Sequence, residues 1–139
     1  MKKNTKAKYL VNEPKYEAGA GRPQLLRIEF SPEYTKADFG YQTTDYYVRG
    51  GWVRISKRTF LRVHSTGEKF TLLRAENIPI APSHHHFNTS KDWLFFSLYF
   101  PPVPIKNGNI DIIEAEPGDD TDFNYFNIIL DTRRSIELV

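Results

Sequence analysis

The sequence predicts an all-β protein, a sandwich of two antiparallel sheets with about seven strands. Apolar and polar residues alternate with period two in several segments, which is the pattern of half-buried strands. These segments are short and closely spaced, and no helical pattern of about 10–15 residues separates them. Each predicted strand has one apolar row to bury, and two sheets packed face to face bury all of these rows.

The composition is that of a globular domain with many aromatic residues. The chain has 139 residues, enough for one hydrophobic core, and 14% of them are aromatic. It has no cysteine, which excludes disulfide scaffolds, thiolate metal sites and cysteine nucleophiles. No apolar run approaches the roughly 20 residues of a membrane-spanning helix. The basic first residues are not followed by the apolar stretch of a signal peptide, so we expect a cytoplasmic protein.

The chain divides into an arm and a domain. Residues 1–22 are rich in lysine and show no sustained period, so we expect a flexible basic N-terminal arm. A single β-sandwich domain is expected over residues 23–139. Its first predicted strand holds Leu26, Ile28 and Phe30 on the buried face, because they alternate with polar residues.

The middle of the chain predicts an edge strand, a second strand and a hairpin. An aromatic-rich stretch from Phe39 to Tyr47 offers a short edge strand, and Gly51 to Ile55 offers the next strand. The segments Thr59 to His64 and Lys69 to Glu76 flank a short connection that contains Gly67. Because glycine adopts the backbone angles that tight turns require, these two segments are predicted to pair as a hairpin.

Three strands follow in the second half. Asp92 to Phe100 is the strongest strand pattern, and it is closed by prolines that cannot donate to a ladder. A turn around Gly108 leads into Ile110 to Glu114, and Phe123 to Leu130 forms the last predicted strand. The predicted core consists of the inward rows of all these strands: Leu26, Ile28, Phe30, Trp52, Leu61, Val63, Leu72, Leu94, Phe96, Leu98, Phe100, Ile110, Ile112, Phe126, Ile128 and Leu130.

The strand from Asp92 to Phe100 is apolar on both faces. Its even-numbered residues are assigned to the core, yet the opposite row holds Trp93, Phe95 and Tyr99, with Ser97 as its one polar member. Such a second apolar face is either covered by a loop or by the arm, or it is an exposed patch that marks a partner site. We predict that Trp93, Phe95 and Tyr99 bind a protein partner, with addition of a strand to the sheet edge as the mode of binding.

Several motifs occur in a fixed order over about residues 50–130. They are Thr66-Gly67-Glu68, Asn77-Ile78-Pro79, Leu98 to Pro104, Ile110 to Glu114 and Phe123 to Leu130. In this order they resemble a small immunoglobulin-like β-sandwich module of bacterial proteins, with the pattern TGK-Y-L, EGIP, FPPLP, IDLIE and FNFYGI-L. The resemblance implies an immunoglobulin-like fold. That module carries no agreed catalytic or ligand residues, so the resemblance implies no site here, and we expect a separate protein partner.

A run of three histidines suggests a different function. Neutral imidazoles are common ligands of transition metals, and in an extended segment only His84 and His86 of this run share a side. A third ligand would have to come from His64 or from a carboxylate. The first alternative function is therefore a metal-binding protein or metal-dependent enzyme using His84, His86 and His64. The competing interpretation is a solvated loop that binds metal adventitiously, and we expect no cofactor.

The charge distribution suggests a second alternative, nucleic-acid binding. Residues 1–74 have 15 Lys and Arg against 7 Asp and Glu, whereas residues 75–139 have 4 against 10. Arginines of the basic half are interleaved with Tyr47 and Trp52, as in proteins that bind single strands. The acidic half would repel phosphate, which weakens this hypothesis.

No pattern of a catalytic site is found. The chain has neither a nucleophile elbow nor a phosphate-binding glycine loop in its usual setting between a strand and a helix. We therefore predict no catalytic residues, and we do not expect an enzyme. The favoured function is a non-catalytic binding or interaction module whose partner is a protein.

Overall fold

The structure is a computed structural model that describes residues 8–42, 52–83, 85–86, 92–104, 108–118, 122–130 and 135–138. All regular structure in these residues is β-strand. The strands are β1 Lys8–Asn12, β2 Glu17–Ala18, β3 Gln24–Phe30, β4 Thr35–Gln42, β5 Trp52–Val53, β6 Phe60–Val63, β7 Lys69–Thr71, β8 Arg74–Glu76, β9 His85–His86, β10 Trp93–Phe100, β11 Gly108–Ile113, β12 Tyr125–Leu130 and β13 Ser135–Leu138. Within the described residues, no helix has the length and hydrophobicity that spanning a membrane requires.

Most of these strands belong to two antiparallel sheets. A six-stranded sheet has the order β13-β1-β3-β4-β10-β8, and a five-stranded sheet has the order β2-β12-β11-β6-β7. The strands β5 and β9 form a separate antiparallel pair. The predicted all-β class and antiparallel pairing are confirmed, although the described residues contain more strands than the seven or so expected.

The two sheets share one hydrophobic core. The buried cluster contains residues from strands of both sheets. The ring of Phe39 on β4 lies 5.2 Å from the ring of Tyr125 on β12, measured between centroids. The buried hydroxyl of Tyr125 donates to the carbonyl of Pro23 at 2.7 Å, which satisfies its polar atom inside the core. The arrangement is that of a β-sandwich.

Two strands lie within residues 1–22, the segment expected to be a flexible arm. Residues Lys8–Asn12 form β1, which lies between β13 and β3 inside the six-stranded sheet. Val11 of this strand is buried opposite Ile28. Glu17–Ala18 adds to the edge of the other sheet as β2. The sequence pattern missed β1 because a five-residue strand with one fully buried side chain shows little periodicity.

A β-bulge in β3 changes one predicted core residue. The register between β3 and β4 shifts between Leu25 and Arg27, so Leu26 is the extra residue. Leu25 is buried in the core, whereas Leu26, which was predicted there, is partly exposed. Because strict alternation cannot continue through a bulge, the sequence pattern placed the wrong leucine inside.

A second bulge changes the row of β12. The register between β11 and β12 shifts between Ile110 and Ile112. Asn127 adopts a left-handed backbone with φ of 53°, which asparagine tolerates better than most residues. The bulge buries Tyr125 and leaves Phe126 39% exposed, so the prediction that Phe126 lies in the core is wrong.

The remaining core predictions agree with the structure where it describes the side chain. Leu72 and Leu94 are partly buried against the core, and the side chain of Trp52 lies outside the description. The predicted hairpin is confirmed for its first part, since β6 and β7 pair around Gly67, whose φ is 75°. The predicted strand from Lys69 to Glu76 is divided, because Arg74–Glu76 forms β8 and pairs with β10 in the six-stranded sheet. The predicted core residues that are buried are Ile28, Phe30, Leu61, Val63, Phe96, Leu98, Phe100, Ile110, Ile112, Ile128 and Leu130.

Candidate functional site

The outward face of the six-stranded sheet carries the aromatic row of β10. Successive residues of a strand point to opposite faces, and the even-numbered residues from Phe96 to Phe100 are buried in the core. The residues Trp93, Phe95, Ser97 and Tyr99 therefore lie on the outward face. All eight residues of this strand pair with β4.

Trp93 and Phe95 form an exposed aromatic pair. Trp93 is 50% exposed and Phe95 is 58% exposed, which is unusual for side chains of this size. Their rings are parallel within 8°, with centroids 5.8 Å apart. Stacking holds each ring against the other, so the aromatic pair presents a defined apolar surface to the outside.

Gly40 positions the ring of Phe95. Gly40 pairs with Phe95 across β4 and β10, and a Cβ atom at position 40 would lie 3.0 Å from Cε1 of Phe95. The ring of Phe95 therefore lies close over residue 40, and a side chain at this position would force the ring to shift. The same Cβ atom would lie 3.4 Å from Cδ1 of Leu26, which the β3 bulge turns outward. The apolar surface of the aromatic pair thus continues toward Leu26.

A depression of about 450 Å³ lies beside Phe95 on this face. Its polar lining includes a hydrogen-bonded row across three strands. Ser97 Oγ donates to Asp38 Oδ1 at 2.6 Å, and Arg27 Nε donates to Asp38 Oδ2 at 3.0 Å. Lys36 Nζ lies 3.7 Å from the same carboxylate. The carboxylate of Asp38 is paired with both cations, so the row is a polar border of mutually bonded groups.

Tyr99 is part of the outward row but is not exposed. Its ring is covered by the Arg74 guanidinium at 3.8 Å and meets the edge of Tyr34 at 5.3 Å. Its hydroxyl donates to Glu76 Oε1 at 2.8 Å. Burial and this hydrogen bond raise the pKa of Tyr99, while the Tyr99 hydroxyl and Arg74 lower the pKa of Glu76. The structure therefore separates Tyr99 from the aromatic pair, because neighbouring strands supply cover that the sequence of β10 does not show.

The residues of the predicted metal site are not brought together by the described part of the structure. His64 Nε2 lies 2.6 Å from Asp111 Oδ1, in the five-stranded sheet. His86 belongs to β9, where its backbone pairs with Trp52. His84 lies outside the described residues. Among the described residues, no group of three or more histidine and carboxylate side chains could hold a metal ion.

Asp111, which the sequence pattern does not single out, is the centre of a polar network. This buried carboxylate accepts hydrogen bonds from His64, from Arg62 Nε at 3.0 Å and from the Asn127 backbone N–H at 2.9 Å. Burial would raise the pKa of Asp111, but these hydrogen bonds outweigh burial and hold the pKa below its usual value. One signal was present in the sequence, a single acidic residue within an apolar strand. The network ties β6, β11 and the β12 bulge together.

The basic residues proposed for nucleic-acid binding are partly neutralised. Arg62 also forms an ion pair with Glu116 at 3.0 Å, and Arg74 forms one with Glu76 at 3.0 Å. Arg49 and Tyr47 lie outside the described residues. A phosphate backbone would have to compete with these carboxylates for Arg62 and Arg74.

Comparison with known proteins adds no family to these observations. The immunoglobulin-like arrangement inferred from the motif order therefore stays a prediction. No protein-family model, no curated protein and no solved structure matches the chain.

Proposed function

We propose that this chain is a non-catalytic interaction module of the immunoglobulin-like β-sandwich type, acting in the cytoplasm, and that it binds a protein partner through the aromatic pair Trp93 and Phe95. The observation that carries this proposal is the half-exposed, mutually stacked arrangement of the two rings. Large aromatic side chains dominate the binding energy of protein interfaces when a partner buries them. A stacked pair also loses little side-chain freedom on binding, which lowers the entropic cost.

The surroundings of the pair favour binding over catalysis. A catalytic site needs a nucleophile, acid or base that is free to act on a substrate. Here the hydroxyl of Ser97 is engaged by Asp38, and that carboxylate is engaged by Arg27 and Lys36. A paired polar border next to an apolar centre is the usual anatomy of a protein interface.

The test compares two double variants. Trp93→Thr/Phe95→Thr removes the aromatic pair and keeps strand-forming residues at both positions. Phe126→Thr/Ile129→Thr is the matched control, since these residues of β12 are 39% and 44% exposed on the other sheet. A protein captured by the wild-type chain from its native lysate is purified and titrated against all three proteins.

We expect the aromatic-pair variant to bind the purified partner at least about 30-fold more weakly, which corresponds to about 2 kcal/mol. The control variant should keep the wild-type Kd within about twofold. Circular dichroism and thermal unfolding establish that each variant is folded. Equal affinities for the wild type and the aromatic-pair variant would refute the proposal.

A further inference from the structure

Half of one edge of β10 has no strand beside it in the part of the chain that the structure describes. β4 pairs with all residues from Trp93 to Phe100, whereas β8 pairs only with Ser97 to Tyr99. β8 ends because Asn77 takes a left-handed φ of 65° and the following Ile78 is buried in the core. The chain thus leaves the sheet here, and no described strand pairs with the edge from Trp93 to Phe96, which we call the open edge.

The backbone groups of Trp93 and Phe95 point toward this open edge. The N–H and C=O of one strand residue point to the same side, and the side alternates along the strand. The carbonyl of Tyr99 accepts from Leu73 N–H at 2.7 Å on the β8 side, and the carbonyl of Phe95 accepts from Asn77 Nδ2 at 3.3 Å. The backbone N–H and C=O of Trp93, two residues before Phe95, point to this side as well. No described residue forms a hydrogen bond with the N–H of Trp93 or Phe95 on this side.

We propose that an extended peptide segment of a partner protein adds to the six-stranded sheet at this edge, antiparallel to β10 and in line with β8. The backbone of this peptide segment forms hydrogen bonds with the N–H and C=O groups of Trp93 and Phe95. Its outward side chains lie directly beside the aromatic pair, since cross-strand neighbours share a face. This inference rests on the proposed function and specifies how the partner is bound.

The dimensions of the edge favour a peptide over a second folded copy. The open edge is four residues long, about 13 Å at roughly 3.3 Å per residue. A stable interface between folded proteins buries about 800 Å² on each side and uses roughly 20–30 residues. The four residues from Trp93 to Phe96 carry no charge and no proline, the devices that usually protect an edge. The segment that fits here is short, with aromatic or β-branched side chains opposite Trp93 and Phe95.

Asn77 already occupies one hydrogen-bonding position of the missing strand. Its side-chain amide donates to the Phe95 carbonyl, as a backbone N–H of an added strand does, but at the long distance of 3.3 Å. An added strand must displace this contact. Asn77→Gly removes the competing amide, and glycine accepts the left-handed backbone of position 77. We expect the substitution to raise peptide affinity about threefold to tenfold, the range for one weak hydrogen bond.

The probe is a displayed library of random dodecapeptides, selected against the full-length wild-type chain and counter-selected against Trp93→Thr/Phe95→Thr. The best peptide is synthesised with a single N-methyl group at each backbone nitrogen in turn. If the peptide binds by strand addition, N-methylation should lower its affinity at least about tenfold at alternate positions, whose N–H groups face β10. N-methylation at the positions between them should change the affinity little. Hydrogen exchange should show protection of the Trp93 and Phe95 amides when the peptide is bound.

The outcomes separate this inference from the proposed function. Alternate N-methyl losses together with tighter binding by Asn77→Gly support strand addition. A peptide that requires the aromatic pair but tolerates N-methylation at every position overturns strand addition. In that case the peptide contacts the side chains of the aromatic pair and not the backbone of the edge. A library that yields no peptide dependent on the pair overturns the inference, while the titration of the captured partner still decides the proposed function.

Discussion

At the scale of single residues, Asp111 shows how a charge is held inside an apolar strand. Its neighbours Ile110 and Ile112 face the core, while its carboxylate accepts hydrogen bonds from His64, Arg62 and the Asn127 backbone. Removing either the buried carboxylate or its hydrogen-bond partners leaves a polar group without a partner, and this destabilises the fold. The folded protein therefore depends on the ionised form of Asp111.

We expect Asp111→Asn to lower the free energy of unfolding by about 2 kcal/mol, because an amide keeps one acceptor but loses the charge that Arg62 and His64 engage. Urea unfolding at pH 7 measures the change. Glu116→Gln is the matched control, since Glu116 pairs with the same Arg62 but is half exposed. We expect this substitution to lower the free energy of unfolding by less than about 1 kcal/mol. Equal losses for the two variants would contradict the central role of Asp111.

The same site predicts a pH dependence. The pKa of Asp111 is lower in the folded chain than in the unfolded chain, so its stabilisation is complete above the unfolded value of about 3.9 and is lost as the pH falls toward the folded value. The difference in unfolding free energy between the wild type and Asp111→Asn should shrink as the pH falls below about 4. A difference that grows as the pH falls below about 4 would show the opposite shift of the Asp111 pKa.

Phe96 and Phe95 are consecutive residues with opposite roles. Phe96 is buried and stacks on Phe39 with centroids 5.1 Å apart, whereas Phe95 is exposed. Phe96→Ala should lower the free energy of unfolding by about 3–5 kcal/mol because it leaves a cavity in the core. Phe95→Ala, the control on the other face, should cost less than about 1 kcal/mol. A loss below about 1 kcal/mol for Phe96→Ala in chemical denaturation would contradict the register of β10.

At the scale of elements, bulges decide which residues the strands bury. Period-two alternation predicts the buried row of a regular strand, as it does for β6 and for the second half of β10. One extra residue in β3 and one irregularity in β12 shift the rows, so that Leu25 and Tyr125 are buried instead of Leu26 and Phe126. Register depends on the partner strand, which is why the pattern of a single strand cannot reveal these shifts.

The β12 bulge gives a prediction at this scale. Asn127 has a left-handed φ of 53°, and its N–H donates to Asp111. Asn127→Gly keeps this backbone and should change the unfolding free energy by less than about 0.5 kcal/mol, whereas Asn127→Val should lower it by about 1–2 kcal/mol because a β-branched residue is strained there. Thermal unfolding of both variants measures the difference. A valine variant as stable as the glycine variant would argue against the bulge.

At the scale of the whole molecule, the first residues of the chain complete the six-stranded sheet. β1 lies between β13 and β3, so it joins the end of the chain to the rest of the sheet. A flexible arm would be dispensable, whereas a strand in this position would not. The two interpretations of the N-terminal segment therefore predict different outcomes for a truncated chain.

Deletion of residues 1–12 removes β1 and should abolish cooperative folding or lower the Tm by more than about 10 °C, since the backbone of β3 loses its ladder and Val11 leaves the core. Deletion of residues 1–7, which ends before β1, is the control and should leave the Tm within a few degrees. Differential scanning calorimetry makes the comparison. Equal stability of the two truncated chains would restore the interpretation as a flexible arm.

The sequence by itself determined the all-β class, the antiparallel pairing of its hairpin and most of the core, because side-chain alternation and turn residues act locally. It also singled out Trp93 and Phe95, since an apolar outward row is visible in one strand. Only the tertiary structure decided that Tyr99 is covered, that Leu26 lies next to Phe95 over Gly40, and that β8 pairs with only part of the β10 edge. Each of these depends on which residues face one another across neighbouring strands, and that register is set by long-range pairing rather than by the pattern within a strand.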